Sequence, residues 1–121
     1  MMPIVPAILF GANKTLIELE AYIDSGAYMS IFDVEFAFAL GLEVKSERKQ
    51  MFIVGDGSFI PGYVFNLPMQ IGEHKFISPV AFSDKLNVGF NLLGRKGIFD
   101  HFEEIIFREK REEVEFRYEA V

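Results

Sequence analysis

A carboxylate, a hydroxyl and a glycine stand together at the end of an apolar run, as Asp24, Ser25 and Gly26. A carboxylate at the mouth of a hydrophobic strand is poorly solvated unless another group satisfies it or uses it. Gly26 lets the backbone turn sharply beside it. This arrangement suits acid–base chemistry, and its alternative interpretation is an aspartate that stabilises a turn or caps a helix.

A second glycine-bearing stretch, Asn91-Leu92-Leu93-Gly94-Arg95, is the candidate partner of the first. Between them, Met51–Val54 and Phe59–Phe65 flank a turn at residues 55–58 that contains Asp56 and Gly57. Two extended arms around an Asp-Gly turn predict a β-hairpin. Its glycines predict a mobile tip, and its apolar arms are able to close over a ligand. The alternative interpretation is an ordinary surface hairpin.

The composition limits the classes of function. With 121 residues, half of them hydrophobic, the chain is expected to form one domain over residues 1–121. It has 14 Phe but no Cys or Trp, so redox chemistry and thiolate metal sites are not expected. A net charge of −6 argues against nucleic-acid and anionic-membrane partners. No metal or other cofactor is predicted, and His74 is interpreted as a solvated turn residue.

The first ten residues are apolar but contain two prolines and no basic residue. They are also far shorter than a membrane span. We therefore interpret residues 3–10 as a strand and not as a signal, and the expected location is cytoplasmic.

Alternating apolar residues and turn signals predict a mainly β chain. A helix is expected over residues 34–40, capped by Asp33 and ended by Gly41, and a second over residues 95–102, where Ile98, Phe99 and Phe102 have helical spacing. The predicted fold is a closed or sandwiched β domain with at least seven short strands and two short helices. The expected strands cover residues 3–10, 15–23, 28–32, 51–54, 59–65, 67–71, 75–82, 105–107 and 114–118.

Taken in order, these motifs resemble the retroviral-type aspartic protease family, the retropepsins, with their cellular and prokaryotic relatives. The family has a strand leading into Asp-Thr/Ser-Gly-Ala, a glycine-rich flap hairpin, and two hydrophobic residues with a glycine before a helix. Here these are Ile23 to Ala27, the hairpin around residues 54–58, and Leu92 to Arg95. The similarity covers residues 4–107. It implies a closed, β-barrel-like single lobe with a flap.

The resemblance also implies roles for individual residues. Asp24 would be the catalytic carboxylate, Ser25 would lock two active-site loops together across a dimer, and Gly26 would let the substrate backbone approach. Leu92, Leu93 and Gly94 would support the floor under the active-site loop. The flap would comprise Val54, Gly55, Asp56, Gly57, Ser58 and Phe59, and the cleft walls Ala27, Tyr28 and residues 86–88, with Leu86 and Val88 among them.

An aspartic protease needs two carboxylates, and this chain contains one Asp-Ser-Gly. The resemblance therefore implies a homodimer that hydrolyses peptide or protein substrates without a cofactor. The alternative function is a non-catalytic dimeric peptide-binding or accessory module of the same fold. The sequence departs from the retroviral pattern at Tyr28, where those members carry an acidic residue that pairs with the later Arg. Arg95 therefore needs another partner.

Overall fold

The computed structural model of the protein describes residues 3–53, 57–85 and 91–118. Most of this part of the chain is extended, which confirms the mainly β prediction. The strands are β1 (Ile4–Phe10), β2 (Leu16–Ile23), β3 (Ser30–Asp33), β4 (Lys49–Ile53), β5 (Phe59–Ile71), β6 (His74–Ser83), β7 (Asn91–Leu93), β8 (Glu104–Arg108) and β9 (Glu113–Arg117).

Six of these strands close into a β-barrel, in the order β1-β2-β7-β3-β6-β5. The barrel closes where β5 returns to β1, with Ile8 opposite Gln70 and Leu9 opposite Met69. Alternate residues along each strand point inward, as the period of two in a strand requires. Leu9, Phe32 and Phe82 are among the fully buried side chains of the resulting core. The closed barrel confirms the coarse fold prediction.

The long strand β5 combines two strands that were predicted separately. It pairs with β4 through its first residues and with β6 from Tyr63 to Ile71. Asn66 and Pro68 do not interrupt it, since both lie in register with residues of β6. The β4–β5 hairpin therefore continues directly into the barrel wall and shares its backbone hydrogen bonding.

The first predicted helix is present as α1 (Val34–Ala39). The Asp33 carboxylate accepts a hydrogen bond from the Glu35 N–H at 2.9 Å, as expected of an N-cap. Gly41 takes a φ of +72°, the left-handed conformation that commonly ends a helix. Ala37 is buried while Phe38 is exposed, so only one face of α1 packs on the barrel.

The second predicted helix is not an α-helix. Residues 95–102 contain a single 3-10 turn, Phe99–His101. Gly97 has a φ of +84°, which is incompatible with a continuous helix, and the Arg95 and Lys96 N–H groups donate to carbonyls of a distant segment. The apolar spacing that predicted a helix instead places Ile98 and Phe102 in the core.

The terminal hairpin, β8 with β9, forms a separate two-stranded sheet. Among the described residues, it has no backbone pairing with the barrel and contacts it through aromatic side chains. Phe102 packs against Phe116 at 4.9 Å and edge-on to Phe76 at 5.7 Å between ring centroids. The His74 ring stacks on Tyr118 at 4.4 Å, so His74 is a packing residue and not only a solvated turn residue.

Candidate functional site

Asp24 lies at the end of β2, where the chain leaves the barrel wall in a tight turn. Its N–H donates to the Leu93 carbonyl at 3.0 Å, and its own carbonyl accepts from the Ala27 N–H at 3.1 Å. The carboxylate oxygen Oδ1 accepts a hydrogen bond from the Gly26 N–H at 2.9 Å. The side chain is half-buried. The turn therefore fixes one carboxylate oxygen and leaves the group partly accessible from outside.

Strand β7 runs between the two strands that flank this turn. It pairs with the end of β2 in parallel, Ile23 opposite Leu93, and with β3 in the antiparallel sense, Ile31 opposite Leu92. Leu92 and Leu93 are buried directly below the start of the turn. The two glycine-bearing stretches singled out in the sequence are thus brought side by side.

Gly94 lies against the backbone at the far end of the Asp24 turn. A Cβ on Gly94 would stand 2.5 Å from the Met29 carbonyl carbon and 2.6 Å from its oxygen. The Gly94 N–H donates to the Ser30 hydroxyl at 3.0 Å in a buried position. Only a residue without a side chain permits this approach.

Two further hydrogen bonds fasten the turn to the segment after β7. The Arg95 N–H donates to the Ala27 carbonyl at 2.9 Å, and the Lys96 N–H donates to the Tyr28 carbonyl at 2.8 Å. Met29 and Lys96 then form an isolated parallel bridge. The turn from Asp24 to Met29 is therefore held at both ends by one short segment, so its carboxylate has a defined position.

We expect Ser30→Ala to lower the free energy of unfolding by about 2 kcal/mol, because the Gly94 N–H would lose its acceptor in a buried position. Ser46 is exposed, so Ser46→Ala is the matched control and should change stability by less than about 0.5 kcal/mol. Urea unfolding of the three proteins at equal concentration measures both effects. Equal midpoints for Ser30→Ala and wild type would contradict this role for Ser30.

The hairpin of β4 and β5 is connected to the site through Phe52. This ring packs against the buried cluster of Met29, Ile31 and Ala81. Gly62 makes room for it, since a Cβ there would meet the Phe52 ring at 2.9 Å. Phe52 and its cross-strand neighbour Ile60 thus face the domain beside the turn that carries Asp24.

The opposite face of the hairpin is apolar and exposed. Ile53 and Phe59 are opposite each other in the register and are 69% and 64% exposed. Gly57 and Ser58 are also exposed. Phe59, a predicted flap residue, therefore lies on the face that does not carry Phe52. Of the other predicted flap and wall residues, Val54, Gly55, Asp56, Leu86 and Val88 lie outside the residues that the structure describes.

Within the residues that the structure describes, no cationic side chain forms an ion pair with Asp24. Ser25 is exposed, and within residues 3–53, 57–85 and 91–118 its hydroxyl has no hydrogen-bond partner in the same chain. Tyr28 is 57% exposed, and the Lys96 Nζ lies 5.7 Å from the centre of its ring. Arg95 is exposed, and no carboxylate in the described part of the chain pairs with its guanidinium.

Sequence reasoning overlooked three residues that contribute to this arrangement: Met29, Ser30 and Lys96. The alternation along the hairpin was a sufficient signal for Phe52, because it places Phe52 and Ile60 on one face. Ser30 carried no such signal, since its hydroxyl matters only through a residue far along the chain.

Among the described residues, no three His, Cys, Asp or Glu side chains are grouped so that they could hold a metal ion. None of the helices in that same part of the chain has the length and apolar character needed to cross a bilayer.

A comparison with models of known protein families gave no match. A search of curated proteins gave no match either. The function is therefore argued from the geometry of this chain and from the motif resemblance.

Proposed function

We propose that this protein is an aspartic endopeptidase of the retropepsin type that acts as a homodimer. The observation that carries the proposal is the Asp24 carboxylate, half-buried at a strand end and held through one oxygen by the Gly26 N–H. This leaves the second oxygen, Oδ2, available to bind a water or a proton. The turn is fixed by backbone hydrogen bonds on both sides, which keeps the carboxylate oriented for chemistry.

The proposed chemistry uses two Asp24 carboxylates, one from each chain. Two carboxylates in close contact do not both ionise, a property for which aspartic proteases are the standard example, so the pair shares one proton. The ionised carboxylate takes a proton from a water molecule, and the water oxygen attacks the scissile carbonyl carbon. The protonated carboxylate donates to the carbonyl oxygen. The resulting gem-diol collapses with proton transfer to the leaving amine.

A two-fold axis near Asp24 is the simplest arrangement that brings the two carboxylates together. The exposed Ser25 hydroxyl, without a partner among the described residues of its own chain, is then available to the partner loop. In the proposed dimer, the β4–β5 hairpin acts as the flap over an extended peptide. Phe52 connects the flap to the barrel by packing against the buried cluster that contains Met29. The cytoplasmic location belongs to the same proposal.

Hydrolysis is tested by incubating the pure protein with unfolded protein substrates from acidic to neutral pH and sequencing the products by mass spectrometry. Internal cleavage that depends on Asp24 supports the proposal. A folded dimer that binds peptides but releases no products at any pH would favour the non-catalytic peptide-binding module instead.

The homodimer is a separate expectation. Sedimentation equilibrium at micromolar concentration should give twice the mass of one 13.8 kDa chain. Ser25→Ala should weaken the dimer by about 1 kcal/mol per lost hydrogen bond, since the hydroxyl would bridge the two loops. Ser46→Ala serves as the control, since Ser46 is also exposed. A strict monomer at every concentration would rule out the shared carboxylate pair.

A further inference from the structure

A small cationic and aromatic strip, Tyr28 with Arg95 and Lys96, lies beside the Asp24 turn. The chain as a whole carries a net charge of −6, so two adjacent cations at this position differ in sign from the average surface. Both side chains are exposed, and no carboxylate in the described residues neutralises either of them. The strip therefore presents uncompensated positive charge next to the proposed catalytic carboxylate.

The backbone that carries the strip is held against the Asp24 turn by hydrogen bonds. The Arg95 and Lys96 N–H groups donate to the carbonyls of Ala27 and Tyr28, and the Lys96 Nζ lies over the Tyr28 ring. The distance of 5.7 Å is within the range of a cation–π contact. This contact places one ammonium group near the turn. Because the Tyr28 ring has no net charge, the positive charge of Lys96 stays uncompensated.

The position of the strip along a bound peptide follows from chain geometry. Tyr28 comes four residues after Asp24, and four extended residues span at most about 14 Å. The Asp24–Ala27 hydrogen bond folds this path back and shortens it. A substrate strand advances about 3.3 Å per residue, so the substrate residue next to the strip is within about four residues of the scissile bond.

We propose that the strip selects substrates that carry an aspartate or glutamate within about four residues of the scissile bond. This inference rests on the proposed function, because it assigns a substrate class to that site. The guanidinium of Arg95 would receive the carboxylate as a two-pronged hydrogen-bond donor, and Lys96 would add a second charge.

The test compares peptides that differ only by Glu against Gln at each position near a cleavage site. The cleavage site itself is first located with a library of unstructured peptides. For the wild type, kcat/KM should be about 5- to 20-fold higher with Glu at the position facing the strip. Arg95→Gln and Lys96→Gln should each reduce that ratio. Arg95→Lys should reduce it less than Arg95→Gln, because it keeps the charge but loses the two-pronged donation. Lys110→Gln, in the turn of the terminal hairpin, is the control and should retain the ratio.

A second measurement separates this inference from the proposed function. Fluorescence anisotropy measures how the same Glu and Gln peptides bind to the wild type and to Asp24→Asn. This measurement does not depend on hydrolysis. Cleavage without any preference for Glu would show that the strip does not select substrates, while the endopeptidase proposal would stand. Binding that favours Glu and depends on Arg95, but without cleavage, supports the strip and contradicts the endopeptidase. If the protein neither cleaves the peptides nor binds them with a preference for Glu, the proposed selectivity of the strip is wrong.

Discussion

Asp24→Asn should reduce kcat/KM for peptide hydrolysis by at least about 1,000-fold, because an amide neither accepts the proton of the attacking water nor shares one with a second carboxylate. The fold should be retained. The Asn side-chain oxygen still accepts the hydrogen bond that the Gly26 N–H now gives to Asp24 Oδ1. Urea unfolding and sedimentation of the variant should therefore match the wild type.

Asp33→Asn is a closely matched control for this substitution. Asp33 also accepts a hydrogen bond at 2.9 Å from a backbone N–H two residues ahead, but it does so as the N-cap of α1. Asn is about as good an N-cap as Asp. Asp33→Asn should therefore retain activity within about two-fold. Cleavage at unchanged sites by Asp24→Asn would show that the catalytic assignment is wrong.

Mixing the two chains adds a test of the shared pair. Asp24→Asn subunits added in equal amount to the wild type should lower the activity to about half once the subunits have exchanged, since mixed dimers hold one carboxylate. An unchanged rate after exchange would mean that each wild-type chain acts alone.

The sequence was informative where the determinants were local. The β1–β2 hairpin was predictable because both arms alternate and residues 11–14 have turn chemistry. Helix α1 was predictable because Asp33 and Gly41 mark its two ends. In both cases the signal and the structure lie within a few residues of each other.

The sequence misled where distant contacts determine the backbone. The apolar residues of 95–102 have helical spacing. However, the carbonyls of Ala27 and Tyr28 accept hydrogen bonds from the N–H groups of Arg95 and Lys96. The positive φ of Gly97 then turns the chain into the core. A pattern of apolar residues records burial, and it does not distinguish a helix from a turn that buries the same side chains.

The candidate site is an intermediate case. Spacing and residue type singled out Asp24 and Gly94, but only through their joint resemblance to a known motif set. The pairing that brings these two stretches side by side depends on β7 entering between β2 and β3, which no local propensity specifies. Ser30 was overlooked for the same reason, since it acts on a residue from another part of the chain.

Gly94→Ala should be the most destabilising of the substitutions considered, lowering the free energy of unfolding by about 3 kcal/mol. The new Cβ would fall within 3 Å of three Met29 backbone atoms, the carbonyl carbon, its oxygen and the Cα. Backbone atoms cannot rotate away as a flexible side chain does, so the Met29 segment must move. Because that segment ends the Asp24 turn, the remaining folded protein should also lose activity.

Gly72→Ala separates this collision from the ordinary cost of replacing a glycine. Gly72 has a φ of +59° in the turn between β5 and β6, and a Cβ there would meet nothing within 4 Å. Its replacement should cost only the left-handed strain of about 1 kcal/mol. In urea unfolding, Gly94→Ala should then be about 2 kcal/mol less stable than Gly72→Ala. All measurements use one chain concentration, because the proposed dimerisation would add to the apparent stability. If the two variants unfold at the same urea concentration, the Met29 backbone tolerates a side chain at residue 94. The close packing of Gly94 would then not be what holds the Asp24 turn in place.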